Sequence, residues 1–323
     1  MKKLNGHLEG IYTLLAPMSH IGESHGIDSY LATEDIIGAD GKPVEIFIYS
    51  GNAIRGMLRD CGAKYFLDKI SMEETMQVTL PMFYFLFAGG TIGGDQKIDI
   101  DQARNIRKNI PVASIFGGGV GNQILAGKLC CNDAYPVSHE TMHIVPGRYY
   151  PEGEMLSWRQ MTTERSYTRM DDAKDERKRP YIAQEVKALE GLFEEKKPKK
   201  EKDEQAVQMR YTVEVMQVGT KLYHRLDVRD LSEIEMGALV SSIYEWTKSP
   251  YLGGKSNIGM GRATVDYVWK PFEEAELPFL KTEGDEISLG AVADETKQAY
   301  DTYLKNYKAY LSENRESLVK MLE

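Results

Sequence analysis

The feature that most limits the possible folds is a glycine-dense loop between a helix and a strand, in residues Tyr251–Tyr267 (YLGGKSNIGMGRATVDY). Before it, Ser232 is followed three residues later by Glu235, a capping box that predicts a helix over Glu233–Thr247. After it, Ala263–Tyr267 alternates in polarity as a strand does. A helix, a tight loop and a strand in this order are typical of an α+β domain.

The loop itself has the composition of a phosphate contact. Glycines allow close approach of the backbone and can present N–H groups to an anion, while a lysine, an arginine, a serine and an asparagine add donors. The loop is not a nucleotide-binding P-loop, because it follows a helix rather than a strand. A tight surface hairpin with incidental charge remains the alternative. The residues concerned are Gly253, Gly254, Lys255, Ser256, Asn257 and Arg262.

The rest of the chain predicts a second unit of strands and a helix that matches the unit around the glycine loop. A strand begins near Leu8 and breaks at Pro17, and a polar loop is expected over residues 19–43. The strand VEIFIYS then leads into a helix that Ser50 or Asn52 can cap. Later, one long alternating strand is expected over residues 212–228. The two halves predict an α+β fold with a ferredoxin-like sheet.

This organisation predicts one palm-like domain, residues 1–270, with insertions within about 20–43 and 70–205. Within the second insertion, residues 171–204 hold 10 basic and 11 acidic residues, which favours a mobile loop or a finger that touches nucleic acid. Residues 271–323 hold 12 acidic and 6 basic residues and should form an acidic linker and an amphipathic helix. That helix packs either on its own domain or on a neighbouring subunit.

Composition excludes several classes of protein. The net charge of −9 argues against a general nucleic-acid coat, although most of the net negative charge, −6, lies after residue 270. No apolar run reaches the roughly 18 residues of a membrane span, and no secretory signal is evident. Three cysteines, two of them adjacent, do not make a disulfide framework. We therefore expect a cytoplasmic, reduced protein without a membrane partner.

Four stretches, in order, resemble the RAMP superfamily of CRISPR-associated proteins. They are LLAPMSHIG at Leu14–Gly22, SGNAIRGMLR at Ser50–Arg59, SIFGGGVGNQILAGKLCCNDAYP at Ser114–Pro136, and the glycine loop. The resemblance is to the repeating crRNA-binding backbone subunit of an effector complex, possibly of type IV. It implies an RRM-like palm with a thumb hairpin and a helical segment. The implied partners are crRNA, target DNA or RNA paired to it, copies of itself in a helical filament, and other complex subunits.

The resemblance implies an RNA-binding surface with a physical basis in the residues. Arg55 and Arg59 are spaced i, i+4 on one helix face, and the helix start offers amides and a positive dipole end to a phosphate. Such contacts position a polyanion without reading its sequence. Two solvated arginines on an amphipathic helix are the alternative. Besides the loop residues above, the predicted RNA-binding residues are Ser19, His20, Ser50, Asn52, Arg55 and Arg59.

We expect no catalytic residue, metal or cofactor in this chain. A ribonuclease of the same superfamily is the alternative, with Asp28 holding a metal ion or a loop histidine, His20 or His25, acting in acid–base catalysis. A zinc site built from Cys130, Cys131, His139 and His143 is disfavoured because adjacent cysteines are poor co-ligands.

Overall fold

In this computed structural model, the described residues are 3–71, 77–93, 100–169, 209–283, 286–289 and 294–322. The charged segment 171–204, for which a loop or finger was predicted, lies outside them. Within the described residues, no helix combines the length and apolarity that crossing a membrane requires.

The described part of the chain contains sixteen strands and seven α-helices. The strands are β1 (Leu4–Leu14), β2 (Ile21–His25), β3 (Asp28–Leu31), β4 (Thr33–Ile37), β5 (Pro43–Phe47), β6 (Thr91–Ile92), β7 (Gly118–Val120), β8 (Gln123–Leu125), β9 (Leu129–Cys131), β10 (Tyr135–Pro136), β11 (Thr162–Arg169), β12 (Met209–Met216), β13 (Lys221–Leu231), β14 (Ala263–Pro271), β15 (Leu277–Glu283) and β16 (Glu286–Leu289). The helices are α1 (Gly51–Ile70), α2 (Leu80–Ala88), α3 (Ile100–Asn109), α4 (Pro111–Phe116), α5 (Glu233–Thr247), α6 (Asp294–Glu313) and α7 (Arg315–Leu322).

The central sheet has the ferredoxin-like arrangement that the sequence predicts. Strand β1 lies between β13 and β14 and is antiparallel to both, and β9 and β10 pair with the other edge of β13. Helix α1 follows β1 in the chain, and α5 connects β13 to β14. This strand order, with two helices in the connections between strands, confirms the α+β prediction.

Alternation along β1 explains how the sheet buries both of its faces. Leu8, Tyr12 and Leu14 are fully buried on the helix side, where the Tyr12 ring meets Trp246 of α5 edge-on at 5.6 Å. On the opposite face, Ile11 packs with residues of the segment that follows β10. The palm sheet is therefore covered on both sides over this strand.

Two predictions about strands were wrong. Residues 19–43 are not a loop but form β2, β3 and β4, and the run 212–228 is two strands in different sheets, β12 and β13. Every residue of β2 is exposed, so it lacks the alternation that marks a half-buried strand. Its neighbour β3 pairs in parallel with β12, nearly two hundred residues away, which local patterns do not reveal.

The C-terminal region also differs from the expected linker. Strands β15 and β16 extend the central sheet beyond β14, and the predicted helix is two helices that meet at Asn314. Tyr307 of α6 is fully buried, and a Cβ added to Gly237 of α5 would lie 2.3 Å from the Tyr303 carbonyl oxygen. The helix therefore packs on its own domain, one of the two predicted alternatives.

The start of α5 is held by a buried ionic cluster that should make stability depend on acidic pH. The Glu235 carboxylate accepts hydrogen bonds from Lys128 Nζ at 2.6 and 2.8 Å, from Ser114 Oγ at 2.5 Å and from the Ser232 amide at 2.7 Å. Burial alone raises the pKa of Glu235, but these hydrogen bonds outweigh it and the net pKa lies below the ordinary 4.5. The carboxylate thus stabilises the fold above pH 4.5, and that contribution is lost as the pH falls through the folded-state pKa.

We therefore expect Glu235→Gln to lower the free energy of unfolding at pH 7 by about 1–3 kcal/mol, because Lys128 loses its charged partner. Urea unfolding between pH 7 and pH 3 measures this. The variant should lose less stability than the wild type below pH 4.5. Identical pH dependence in the two proteins would show that the Glu235 pKa is not lowered by folding.

Candidate nucleic-acid interface

Three of the four sequence stretches meet where the end of β1, the start of α1 and the glycine loop come together. We call this the junction surface, formed by residues 19–20, 49–52 and 253–257. The Gly254 N–H donates to the Ser19 carbonyl at 2.7 Å, and the Gly253 N–H donates to Tyr49 Oη at 3.2 Å. Ser19 is fully buried, so it acts through its carbonyl by holding the loop in place.

His20 connects the segment that follows β1 to the start of α1. Its Nε2 accepts a long hydrogen bond, 3.5 Å, from the Ser50 N–H, and its ring meets Tyr49 edge-on at 5.0 Å. Burial lowers the pKa of His20, with a smaller opposing effect of Asp133. A neutral imidazole is what this acceptor role requires.

The start of α1 is already occupied by groups of the protein itself. Ser50 caps the helix as predicted, accepting from the Ala53 N–H at 3.2 Å, and the Gly51 N–H donates to Asp133 Oδ1 at 2.7 Å. The expectation of free amides for a phosphate is therefore wrong for most of the first turn, because the Asp133 carboxylate takes the position an anion would have. Asn52 remains exposed at this point.

Most amides of the glycine loop are also used internally, so its possible contact with an anion is confined to its tip. Leu252 and Gly261 pair with each other, and Gly261 donates to Pro17. Within the described residues, the amides of Lys255–Asn257 donate to no other group, and Ser256 and Asn257 are exposed. The tip is therefore the part of the loop available to a partner.

Lys255 and Arg262 lie at different levels of the loop. Lys255 Nζ donates to Tyr167 Oη at 2.7 Å and lies 5.1 Å from the centre of that ring, which ties the loop to β11. Arg262 is half-buried at the base of the loop, where its carbonyl accepts from the amides of Leu15 and Ala16.

The two arginines of α1 lie beside the junction surface. Asn52, Arg55, Gly56 and Arg59 form one stripe of the helix, and both guanidinium groups donate to the Phe116 carbonyl at the end of α4. Arg59 is 7% exposed, and burial, followed by the charge of Arg55, lowers its pKa to about 10. Within the described part of the chain, neither guanidinium has a carboxylate partner.

This stripe forms one side of a groove of about 810 Å³, which we call the arginine groove. The remaining lining comes from the end of α2, from β6, from the end of α4, from the β7–β8 hairpin and from β9 with the loop before it. The lining residues outside α1 are Phe87, Ala88, Gly89, Thr91, Phe116, Gly118, Gly119, Ile124, Leu125, Ala126, Gly127, Leu129, Cys130 and Cys131. The fourth sequence stretch, Ser114–Pro136, thus meets the second stretch, Ser50–Arg59, in this groove.

Sequence reasoning missed three residues that organise this surface. Tyr49 contacts both His20 and Gly253, Asp133 binds the start of α1, and Tyr167 anchors Lys255. Asp133 lies within a stretch that carried the family resemblance, so that signal was present. Both tyrosines pair with residues that are remote in sequence: Tyr49 forms an isolated bridge with Ala134, and Tyr167 of β11 lies opposite Tyr211 of β12.

The residues considered for catalysis lie elsewhere. Asp28 begins β3 beside Thr212, and it faces His25 across the β2–β3 hairpin. Among the described residues, no group of three or more His, Cys, Asp or Glu side chains is placed to hold a metal ion. Burial raises the pKa of the Cys131 thiol to about 12, so this cysteine is protonated at neutral pH.

Comparison with known proteins supports the fold. No protein-family model matches the chain, and no curated protein matches its sequence. Among solved structures, the fold matches a chain of a Type IV-B CRISPR complex with a TM-score of 0.55 at 16% identity, over 88% of this chain and 97% of the other. The protein therefore has the fold of a Type IV-B CRISPR complex chain, as the sequence resemblance predicted.

Proposed function

We propose that this protein is the repeating guide-RNA-binding subunit of a CRISPR effector complex. One observation carries the proposal: four stretches spread over residues 14–262 meet at the junction surface and the arginine groove beside it. The similar solved chain belongs to a Type IV-B CRISPR complex and is matched over nearly its whole length. In this role, copies of the chain stack along crRNA with other subunits, and the guide pairs with target DNA or RNA.

The chemistry of the surface suits a guide of any sequence. Phosphate oxygens can accept hydrogen bonds from three sets of donors on this surface. They are the backbone amides of Lys255–Asn257, the exposed Asn52 side-chain amide and the guanidinium groups of Arg55 and Arg59. Donors of this kind fix the position of a nucleic-acid backbone but carry no base information. Reading of the target is then left to base pairing, as in other RNA-guided systems.

Titration of the protein with fluorescent single-stranded RNAs of unrelated sequence tests this proposal. We expect similar affinities for all of them. We also expect the logarithm of the association constant to fall linearly with the logarithm of the salt concentration, and the slope of this line, the salt slope, to be about −0.7 for each phosphate contact. Lys255→Gln should reduce the magnitude of the salt slope by about 0.7, the contribution of one phosphate contact. Lys64→Gln is the matched control, since Lys64 is an exposed lysine of α1 paired with Asp68.

Absence of RNA binding, or affinities that differ by orders of magnitude between unrelated sequences, would contradict the proposal. An equal loss of slope in Lys64→Gln and Lys255→Gln would show that the loop tip is not a specific contact.

We further propose that the chain holds RNA without cutting it. Asp28 lies at a hairpin rather than within a cluster of carboxylates, and one carboxylate is a weak metal site. An assembled complex supplied with RNA complementary to its guide and with Mg²⁺ should leave that RNA intact. Regularly spaced cuts that disappear in Asp28→Ala would place the protein among the ribonucleases instead.

A further inference from the structure

The arginine groove contains two guanidinium groups that form no direct ion pair with a described carboxylate, although the charge of Asp60 partly offsets that of Arg59. The guanidinium groups of Arg55 and Arg59 converge on one carbonyl oxygen, that of Phe116, and no described carboxylate lies within ion-pair distance of either. Arg55 Nε and Arg59 Nη1 are buried and have no hydrogen-bond partner. Two like charges in a partly desolvated position are unfavourable unless an anion binds between or beside them.

The lining of the groove combines two arginines with apolar side chains, which suits a nucleotide. Gly118, Gly119 and Gly127 also line it, and each is required by internal packing, since an added Cβ would lie 2.5 Å from the Phe85 ring, 2.3 Å from Thr91 Oγ1 and 2.5 Å from the Ile115 carbonyl oxygen, respectively. The same groove contains Phe87 and Ile124, and Ile124 is 87% exposed. A volume of about 810 Å³ exceeds that of a single nucleotide.

We infer that the arginine groove seats one nucleotide of a bound RNA strand, with its phosphate on Arg55 and Arg59 and its base against Phe87 and Ile124. The inference rests on the proposed function and deepens it. It distinguishes a binding site for one nucleotide, in the arginine groove, from the phosphate contacts of the junction surface. Asn52 lies at the boundary of the two, since it lines the groove and follows the first residue of α1. A strand that crosses the junction surface can thus continue into the groove.

Two substitutions separate the phosphate contact from the base contact. Arg55→Gln removes one charge, and Arg59 still holds the Phe116 carbonyl, so the fold is retained. Ile124→Ser removes an exposed apolar side chain. We expect Arg55→Gln to weaken binding of a single-stranded RNA about 10-fold and to reduce the salt slope by about 0.7. Ile124→Ser should weaken binding at least about 5-fold and leave the slope unchanged, because an apolar contact with a base does not release counterions.

Matched controls lie outside the groove. Arg104→Gln changes an exposed arginine of α3, and Phe272→Ser changes an apolar side chain that is 66% exposed. Neither should alter affinity or slope beyond the error of the titration. Thermal unfolding of all four variants checks that they are folded.

AMP and inorganic phosphate, added as free competitors, distinguish an RNA-borne nucleotide from a free one. We expect no displacement of RNA by either at micromolar concentration. Displacement by micromolar AMP would assign the groove to a free nucleotide and overturn the inference. If the wild type binds RNA while Arg55→Gln and Ile124→Ser bind it equally well, the inference fails and the proposed function stands. If the wild type binds no RNA, both fail.

Discussion

Alanine at position 253 should cost about 2–4 kcal/mol of folding free energy, whereas alanine at position 254 should leave stability within about 1 kcal/mol of the wild type. Gly253 has φ +72°, and a Cβ there would lie 2.3 Å from the Ser19 carbonyl oxygen. That oxygen also accepts the Gly254 N–H, so the clash breaks a hydrogen bond that fixes the loop. At Gly254 φ is not positive, and the nearest atom to an added Cβ is 3.8 Å away.

Urea unfolding of the two variants measures the difference, and RNA titration completes the comparison. Gly254→Ala should remain folded and lose affinity if the loop tip lies close to a phosphate backbone. Equal stability of the two variants would contradict the conformation assigned to the loop. Unchanged RNA affinity in Gly254→Ala would separate this glycine from the RNA contact.

The second large effect is a dependence of stability on mildly acidic pH that originates at His224. This side chain is fully buried, with Nδ1 2.6 Å from Tyr267 Oη and 3.3 Å from Tyr12 Oη. Burial lowers the pKa of His224 from 6.5 to about 3. Between these two values the unfolded chain binds a proton that the folded chain does not, so the stabilising contribution is complete above pH 6.5 and is lost as the pH falls toward 3.

We expect the free energy of unfolding to fall by about 1.4 kcal/mol per pH unit through this one group, or about 2–3 kcal/mol between pH 6.5 and pH 4.5. His224→Gln removes the titration and serves as the reference. The pKa values of His7 and His20 are also lowered by burial, but these residues are present in both proteins and their effects cancel in the difference. Parallel stability curves for wild type and His224→Gln would contradict a buried, neutral His224.

Local patterns in the sequence were sufficient for the elements that depend on neighbouring residues. The capping box of Ser232 and Glu235 predicted α5 at its observed bounds, and Ser50 caps α1. Both are short-range hydrogen-bond patterns that operate within one turn of chain. The glycine loop likewise lies between α5 and β14 as predicted, and three of its four glycines, at positions 253, 259 and 261, take up conformations with positive φ.

Features that depend on distant partners were not predictable in this way. Strand β2 is fully exposed and pairs with β3, and β3 in turn pairs with the distant strand β12. The occupation of the α1 start by Asp133 requires a contact across more than eighty residues. The same holds for Arg55 and Arg59, whose spacing was visible but whose common carbonyl, on Phe116, was not.

The central claim is that copies of this protein bind along the length of a guide RNA. The RNA that co-purifies with the protein tests this claim most directly. The chain is expressed with the other subunits of its complex, with and without a guide-RNA gene, and the bound RNA is extracted and sized. The account predicts RNA of one discrete length that derives from the guide gene and is absent without it. Protein free of RNA, or RNA of mixed length that is the same in both preparations, would contradict the account.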